Sequence, residues 1–150
     1  MIKEGNRAPE FSLLNQNSER VTLSSFLGEK VLIWFFPKAS TSGCTLEGLG
    51  FKDKIDLFKS KKINVIGISK DSVKAQKNFC EKNEFPFDIL SDPECDVIKN
   101  YGAWVLKKMY GREYWGINRI SFLINEVGEI EKIFHSVNTK SHANDVLEEF

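Results

Sequence analysis

With 150 residues, the chain is long enough for one ordinary domain that buries most of its apolar surface without disulfide or metal staples. Lys plus Arg number 21 and Asp plus Glu number 21, so the formal charge is zero and no global field recruits nucleic acid or an anionic membrane. The start, Met1-Ile2-Lys3-Glu4-Gly5-Asn6-Arg7, lacks the apolar core of a secretory signal, and no run reaches membrane-spanning length; three cysteines without a CxxC pair speak against a disulfide framework or a zinc site, so the chain reads as cytoplasmic with free thiols.

In chain order, Ala8 to Leu14 alternates apolar and polar before the turn-rich Asn15-Gln16-Asn17-Ser18, and Glu19 to Leu23 follows, which predicts an N-terminal β-hairpin. Ser24-Ser25-Phe26-Leu27-Gly28 supports one short helical turn. Val31-Leu32-Ile33-Trp34-Phe35-Phe36 reads as a buried strand, and Cys44 onward has helical spacing at Phe51, Ile55 and Phe58, closed by Lys59-Ser60-Lys61-Lys62. Ile63 to Ser69 is a second apolar strand. Asp71-Ser72 can cap a helix through Val73, Ala75, Phe79 and Cys80 that stops before Pro86.

Phe87 to Leu90 is a short strand, and Ser91-Asp92-Pro93-Glu94 is expected to open a helix with Cys95, Val97, Ile98 and Tyr101 on its inner side. Gly102 to Tyr114 shows no clean period and reads as a loop. Asn118 to Ile124 and Gly128 to Phe134, around Asn125-Glu126-Val127, form a second hairpin, and His142 to Phe150 closes the chain as a helix with Val146, Leu147 and Phe150 on one side. Strands alternating with helices, plus two hairpins, predict an α/β domain over residues 1–150 with a central mixed sheet and helices on both faces.

The stretch that concentrates chemistry is Phe36-Pro37-Lys38-Ala39-Ser40-Thr41-Ser42-Gly43-Cys44. A buried strand that ends in such a loop and leads into a helix puts the Cys44 sulfur at a helix N-terminus, where free N–H groups and the macrodipole favour negative charge. The thiolate is the reactive form, so Cys44 is the candidate nucleophile.

Pro37-x-x-x-Thr41-x-x-Cys44 resembles the active-site motif of the peroxiredoxins, thiol peroxidases on a thioredoxin-like fold. The likeness runs through Gly5-x-x-Ala8-Pro9-x-Phe11, Ser69-x-Asp71 and Arg119-Ile120-Ser121-Phe122-Leu123-Ile124, and most resembles the peroxiredoxin Q branch, also called bacterioferritin comigratory protein, with Ser42 in place of a usual proline. The resemblance implies that Cys44 attacks the peroxide O–O bond and becomes a sulfenic acid. Thr41 would accept from one peroxide oxygen and donate to the other, and Arg119 would stabilise both thiolate and leaving oxygen. Pro37 would shield the sulfur, and Glu47 resembles the acidic or amide residue that steers the arginine.

Many members of the branch carry a second cysteine five residues on, where this chain has Leu49; Cys80 resembles the alternative resolving cysteine on the next helix. The resemblance therefore implies an intrachain Cys44–Cys80 disulfide, reduced by thioredoxin or a similar dithiol. Substrates would be hydrogen peroxide and small hydroperoxides, with neither metal nor organic cofactor, in a monomer. Gly48 and Gly50 are expected to loosen the first helix for that step, and Cys95 is expected in the core. Two other readings stay open: a general thiol-disulfide oxidoreductase, against which the missing CxxC speaks, and a redox-sensing or chaperone-like binding protein in which Cys44 oxidation alters a partner interface.

Overall fold

Alternation within one strand sets the architecture. In β3 (Lys30–Phe35), Val31, Ile33 and Phe35 enter one apolar cluster, while Leu32 and Trp34, with Phe36 just beyond, enter another. A period of two sends neighbouring side chains to opposite faces of a sheet, so a run that is apolar throughout needs cover on both sides. The computed structural model, which describes residues 2–150, supplies that cover.

Before β3 come β1 (Ser12–Leu14), β2 (Arg20–Thr22) and a 3-10 turn (Leu23–Phe26); after it come α1 (Ser42–Asp53), α2 (Ile55–Ser60), β4 (Ile63–Ser69), α3 (Val73–Asn83) and β5 (Asp88–Ser91). The chain continues through α4 (Asp96–Asn100), β6 (Trp104–Met109), β7 (Arg112–Ile117), β8 (Ile120–Ile124), β9 (Ile130–Phe134) and α5 (His142–Leu147). Seven strands form one sheet in the order β2-β1-β5-β4-β3-β8-β9. β3, β4 and β5 are parallel, whereas β8 lies antiparallel to β3 and β9 antiparallel to β8. This is the mixed α/β sheet expected from the sequence, with the N-terminal hairpin joined to its edge through the Leu14–Ser91 pair.

Phe51 of α1, Phe58 of α2, Phe79 of α3 and Val146 of α5 pack with Leu32, Trp34 and Phe36 on one face. Val97 and Ile98 of α4, with Tyr101 and Ile117, close the other. Capping follows the sequence at α3, where the Ser72 hydroxyl accepts from the Ala75 N–H at 3.2 Å.

Four expectations need correction. The segment read as a loop, Gly102 to Tyr114, is mostly a two-stranded hairpin of β6 and β7 outside the main sheet. Tyr110 and Gly111, with φ of 53° and 77°, make its two-residue turn, the positive-φ geometry that matches strand twist. The helix expected to open at Pro93 starts only at Asp96, because Cys95 adopts φ 63° and the buried Asp92 carboxylate accepts from the Ile98 N–H at 2.8 Å. The single helix after Cys44 breaks at Lys54 into α1 and α2. The last helix, expected to run to Phe150, ends at Leu147; Val146 is buried in it, whereas Phe150 lies beyond it and is exposed, its ring 5.1 Å from Lys30 Nζ.

Gly48 also has a reason other than looseness: a Cβ there would lie 2.4 Å from Phe85 Cζ, so the glycine admits an aromatic ring against α1. At Gly50 the nearest atom would be 3.9 Å away. Gly48→Ala is therefore expected to destabilise the protein by about 1–3 kcal/mol through overpacking, and Gly50→Ala to stabilise it by about 0.5–1 kcal/mol through a stiffer unfolded chain. Urea unfolding of the two variants checks the opposite signs.

Candidate active site

The loop that carries Cys44 is pinned from outside itself. Ala39 donates its N–H to Asp71 Oδ2 at 2.8 Å, and Asp71 in turn accepts from Ser69 Oγ at 2.5 Å. Ser69 Oγ accepts from the buried Gln76 amide at 2.8 Å. The Ser69-x-Asp71 stretch at the end of β4 thus fixes the loop that leaves the end of the neighbouring β3. Ser40 takes φ 64°, and Thr41 returns to extended backbone as the residue before α1. Cys44 is the third residue of this 12-residue helix, among the first-turn N–H groups that have no partner within the helix.

Arg119 reaches the sulfur because β8 runs antiparallel to β3. Phe35 at the end of β3 pairs with Ile120 at the start of β8, which sets the preceding Arg119 beside the loop that follows Phe35. Arg119 Nη1 lies 3.5 Å from Cys44 Sγ and 2.8 Å from Glu47 Oε1. Glu47 follows Cys44 by three residues, the spacing that puts both on one face of a helix. The Arg119 side chain is 23% exposed, the Glu47 side chain and Cys44 wholly buried. Gly43 makes room: a Cβ there would stand 3.3 Å from Arg119 Nη2.

Glu47 is held in tension between burial and charge. Burial pushes its carboxyl up to about 7, and the hydrogen bond and charge of Arg119 offset this only in part. Its second oxygen, Oε2, is buried without a hydrogen-bond partner and lies 4.0 Å from His142 Nε2. Burial also drives His142 down to about 4, so that ring is neutral near pH 7; its Nε2 lies 2.8 Å from Ser121 Oγ.

Of the other expected site residues, Pro37 is half-buried in the loop ahead of Cys44. Thr41 is exposed, and its hydroxyl donates to the Lys38 carbonyl at 2.8 Å. The expectation that this hydroxyl both accepts and donates is thus modified: its proton is engaged within the loop and its lone pairs remain. Cys80 sits on α3 in the same apolar cluster as Cys44, whereas Cys95 belongs to the cluster on the opposite face of the sheet. All three cysteines are buried free thiols, and burial, with Asp88 and Glu81 adding to it, pushes Cys80 up to about 12.

Residues outside the sequence reading also converge here. Lys107 on β6 is half-buried, and its ammonium is pushed down by burial and by the charge of Arg119, while Cys44 acts in the opposite direction. Its aliphatic stem crosses the space that a side chain at Gly116 would occupy, 3.5 Å from that position. The Tyr110-Gly111 pair is the signal that could have exposed this hairpin. His142 and Ser121 carry no local signal, since a histidine opening a helix and a serine in a strand are ordinary. Among the described residues no group of three His, Cys, Asp or Glu side chains is arranged to hold a metal ion, and no helix is long and apolar enough to cross a membrane.

A family model described as the AhpC/TSA family matches residues 5–133. The chain is 42% identical over 146 residues to peroxiredoxin Bcp of Escherichia coli K12, covering 97% of this chain and 94% of that protein. A peroxiredoxin Q cysteine mutant from Xylella fastidiosa superposes with a TM-score of 0.94 at 30% identity, over 99% and 95% of the two chains. The bacterioferritin comigratory protein of Xanthomonas campestris, studied for alkyl peroxide reduction, gives a TM-score of 0.88 at 32% identity, over 93% and 88%. The same organism's peroxiredoxin Q has also been solved with either of two cysteines replaced by serine. These neighbours share the thioredoxin-like fold expected from the sequence.

If Arg119 is what keeps the Cys44 sulfur reactive, Arg119→Leu should slow its alkylation by iodoacetamide at pH 7 by about tenfold, the scale of one opposite charge removed from within 4 Å. Asp71→Ala, which frees Ala39, should slow it by a smaller factor. Quantifying the modified Cys44 peptide by mass spectrometry separates this thiol from the other two.

Proposed function

Because this chain belongs to the AhpC/TSA family, in the peroxiredoxin Q and Bcp branch of thiol peroxidases, we propose that it reduces hydrogen peroxide and small organic hydroperoxides through Cys44, Cys80 and a dithiol reductant of the thioredoxin kind. The observation that carries the reading is the 3.5 Å approach of Arg119 Nη1 to Cys44 Sγ, with Glu47 holding the same guanidinium nitrogen. In this reading the Cys44 thiolate attacks the terminal peroxide oxygen in line with the O–O bond. An S–O bond forms, the O–O bond breaks, and the departing alkoxide or hydroxide takes a proton to leave as alcohol or water, with Cys44 oxidised to the sulfenic acid.

Arg119 stabilises the charge as it passes from sulfur to the departing oxygen, and its planar fork can face sulfur and carboxylate at once. Thr41 accepts a hydrogen bond from the peroxide, its own proton lying on the Lys38 carbonyl. Pro37 contributes an apolar wall with no competing N–H. Glu47 steers the guanidinium through its 2.8 Å bond.

The second step regenerates the thiol. Cys80 attacks the sulfenic sulfur and expels water to give the Cys44–Cys80 disulfide, which the external dithiol then reduces with transfer of two electrons. Two facts support Cys80 over Cys95. Cys80 shares the apolar cluster of Cys44, while Cys95 is across the sheet. The interval between the two cysteines replaced in the Xanthomonas peroxiredoxin Q equals that between Cys44 and Cys80. A buried thiol pushed up to about 12 is also an inert nucleophile, so Cys80 acts only after α3 or the start of α1 opens. Since both cysteines belong to one chain, the cycle needs no second copy, and we read the protein as a monomer.

Non-reducing peptide mapping after one equivalent of hydrogen peroxide tests this cycle. A Cys44–Cys80 linked peptide is expected in the native chain, and Cys80→Ser should stop at Cys44 sulfenic acid, trappable with dimedone, with turnover by thioredoxin lost. A Cys44–Cys95 peptide would overturn the resolving assignment.

A further inference from the structure

Glu47, beside Arg119 and Cys44, is left half-satisfied. Oε1 takes the Arg119 hydrogen bond at 2.8 Å, whereas Oε2 is buried with no partner. Leaving a buried carboxylate oxygen unpaired is costly, and such a group answers by binding a proton or drawing in a donor. What faces Oε2 is the ring of His142, with Nε2 at 4.0 Å and only 2% of its side chain exposed. The ring is held on its other sides. Phe51 of α1 and Phe134 of β9 pack edge-on to it, with ring centres at 5.5 and 5.6 Å, and Ser121 of β8 lies 2.8 Å from the same nitrogen.

A neutral imidazole presents Nε2 as donor or acceptor according to tautomer, and a serine hydroxyl can play either part. The Ser121–His142 pair can therefore answer both states of Glu47. Nε2 has one proton or one lone pair, so it donates to an ionised Oε2 or accepts from Oε2–H in exchange for its 2.8 Å bond to Ser121, after a closure of about 1 Å. The charged groups acting on this pair are Arg119, before β8, on both Glu47 and His142, and Asp145 of α5 on His142; Lys107 of β6 acts on Arg119 and Cys44 instead. None of them touches Oε2.

We propose that His142, carried by Ser121, is a positioning residue: it sets whether Glu47 meets Arg119 as a full carboxylate, and so how firmly the guanidinium is held on Cys44. This rests on the peroxidase reading for its consequence in turnover, but the coupling itself is a property of the buried pair. Removing the imidazole leaves Oε2 facing hydrocarbon, which favours the protonated acid. The Arg119–Glu47 bond is then weaker at neutral pH and recovers only at higher pH. A role in packing alone would give a deficit that does not vary with pH.

The experiment is a carboxyl-carbon NMR titration of Glu47 in the native chain, His142→Phe and His142→Gln, with the rate of Cys44 oxidation by hydrogen peroxide measured from pH 6 to 8.5. Glu47→Gln and the Glu47→Gln, His142→Phe double variant complete the cycle. The native midpoint is expected near 7. His142→Phe should raise it by half a unit or more and cut the rate several-fold at pH 7, with recovery toward pH 8.5. His142→Gln, which keeps a donor in place and serves if the phenylalanine variant does not fold, should stay near the native midpoint. The double variant should match Glu47→Gln. An unmoved midpoint in His142→Phe, or a rate loss that adds to that of Glu47→Gln, would overturn the proposal. No reaction of native Cys44 with peroxide would overturn the functional reading and leave the midpoint shift to decide this one.

Discussion

A single guanidinium is asked to serve two groups, a sulfur and a buried carboxylate, and most of the fold keeps it within reach of both. Arg119 would stray if β8 did not lie antiparallel to β3, since that pairing alone puts residue 119 next to residue 44 across 75 positions of sequence. A partly desolvated Arg near a carboxylate interacts much more strongly than a surface pair, and the penalty for burying Glu47 is what makes that bond conditional on pH. The carboxyl sits at about 7, so the arrangement is poised near neutral pH rather than locked.

The sheet also partitions the thiols. Side chains alternate across β3, so the two apolar clusters are separated by the sheet, and each cysteine is committed to one side before any chemistry occurs. Cys44 and Cys80 share a side, and both are buried. Burial pushes the Cys80 thiol up to about 12. Phe79 of α3 packs on Phe36, and Phe85, just after α3, fills the space at Gly48 of α1. Gly48 is therefore a packing residue.

The β6–β7 hairpin stands outside the main sheet, with Leu106, Met109, Tyr110, Tyr114 and Trp115 exposed. With neither face fully covered, its strands need no strict apolar alternation. Its base nonetheless bears on the site, because β7 leads directly through Asn118 into Arg119 and β6 carries Lys107. A segment without a readable period thus positions part of the electrostatics around Cys44.

What the sequence determined by itself was local: the all-apolar run of β3, the Ser72 cap of α3, the turn at Asn125 to Val127, and a thiol set at the start of a helix behind a polar loop. Those features depend on residues within a few positions of each other, where period, capping and turn chemistry operate. Nothing local marks Arg119, which the motif resemblance supplied; Ser121 lies in the same matched stretch with no role assigned to it, and nothing marks His142. Only the tertiary structure decided that the start of β8 and the start of α5 meet one turn of α1, that Cys95 lies across the sheet from Cys44, and that Gly48 makes room for Phe85. Such contacts arise from strand order and packing between distant segments, for which a one-dimensional pattern carries no period.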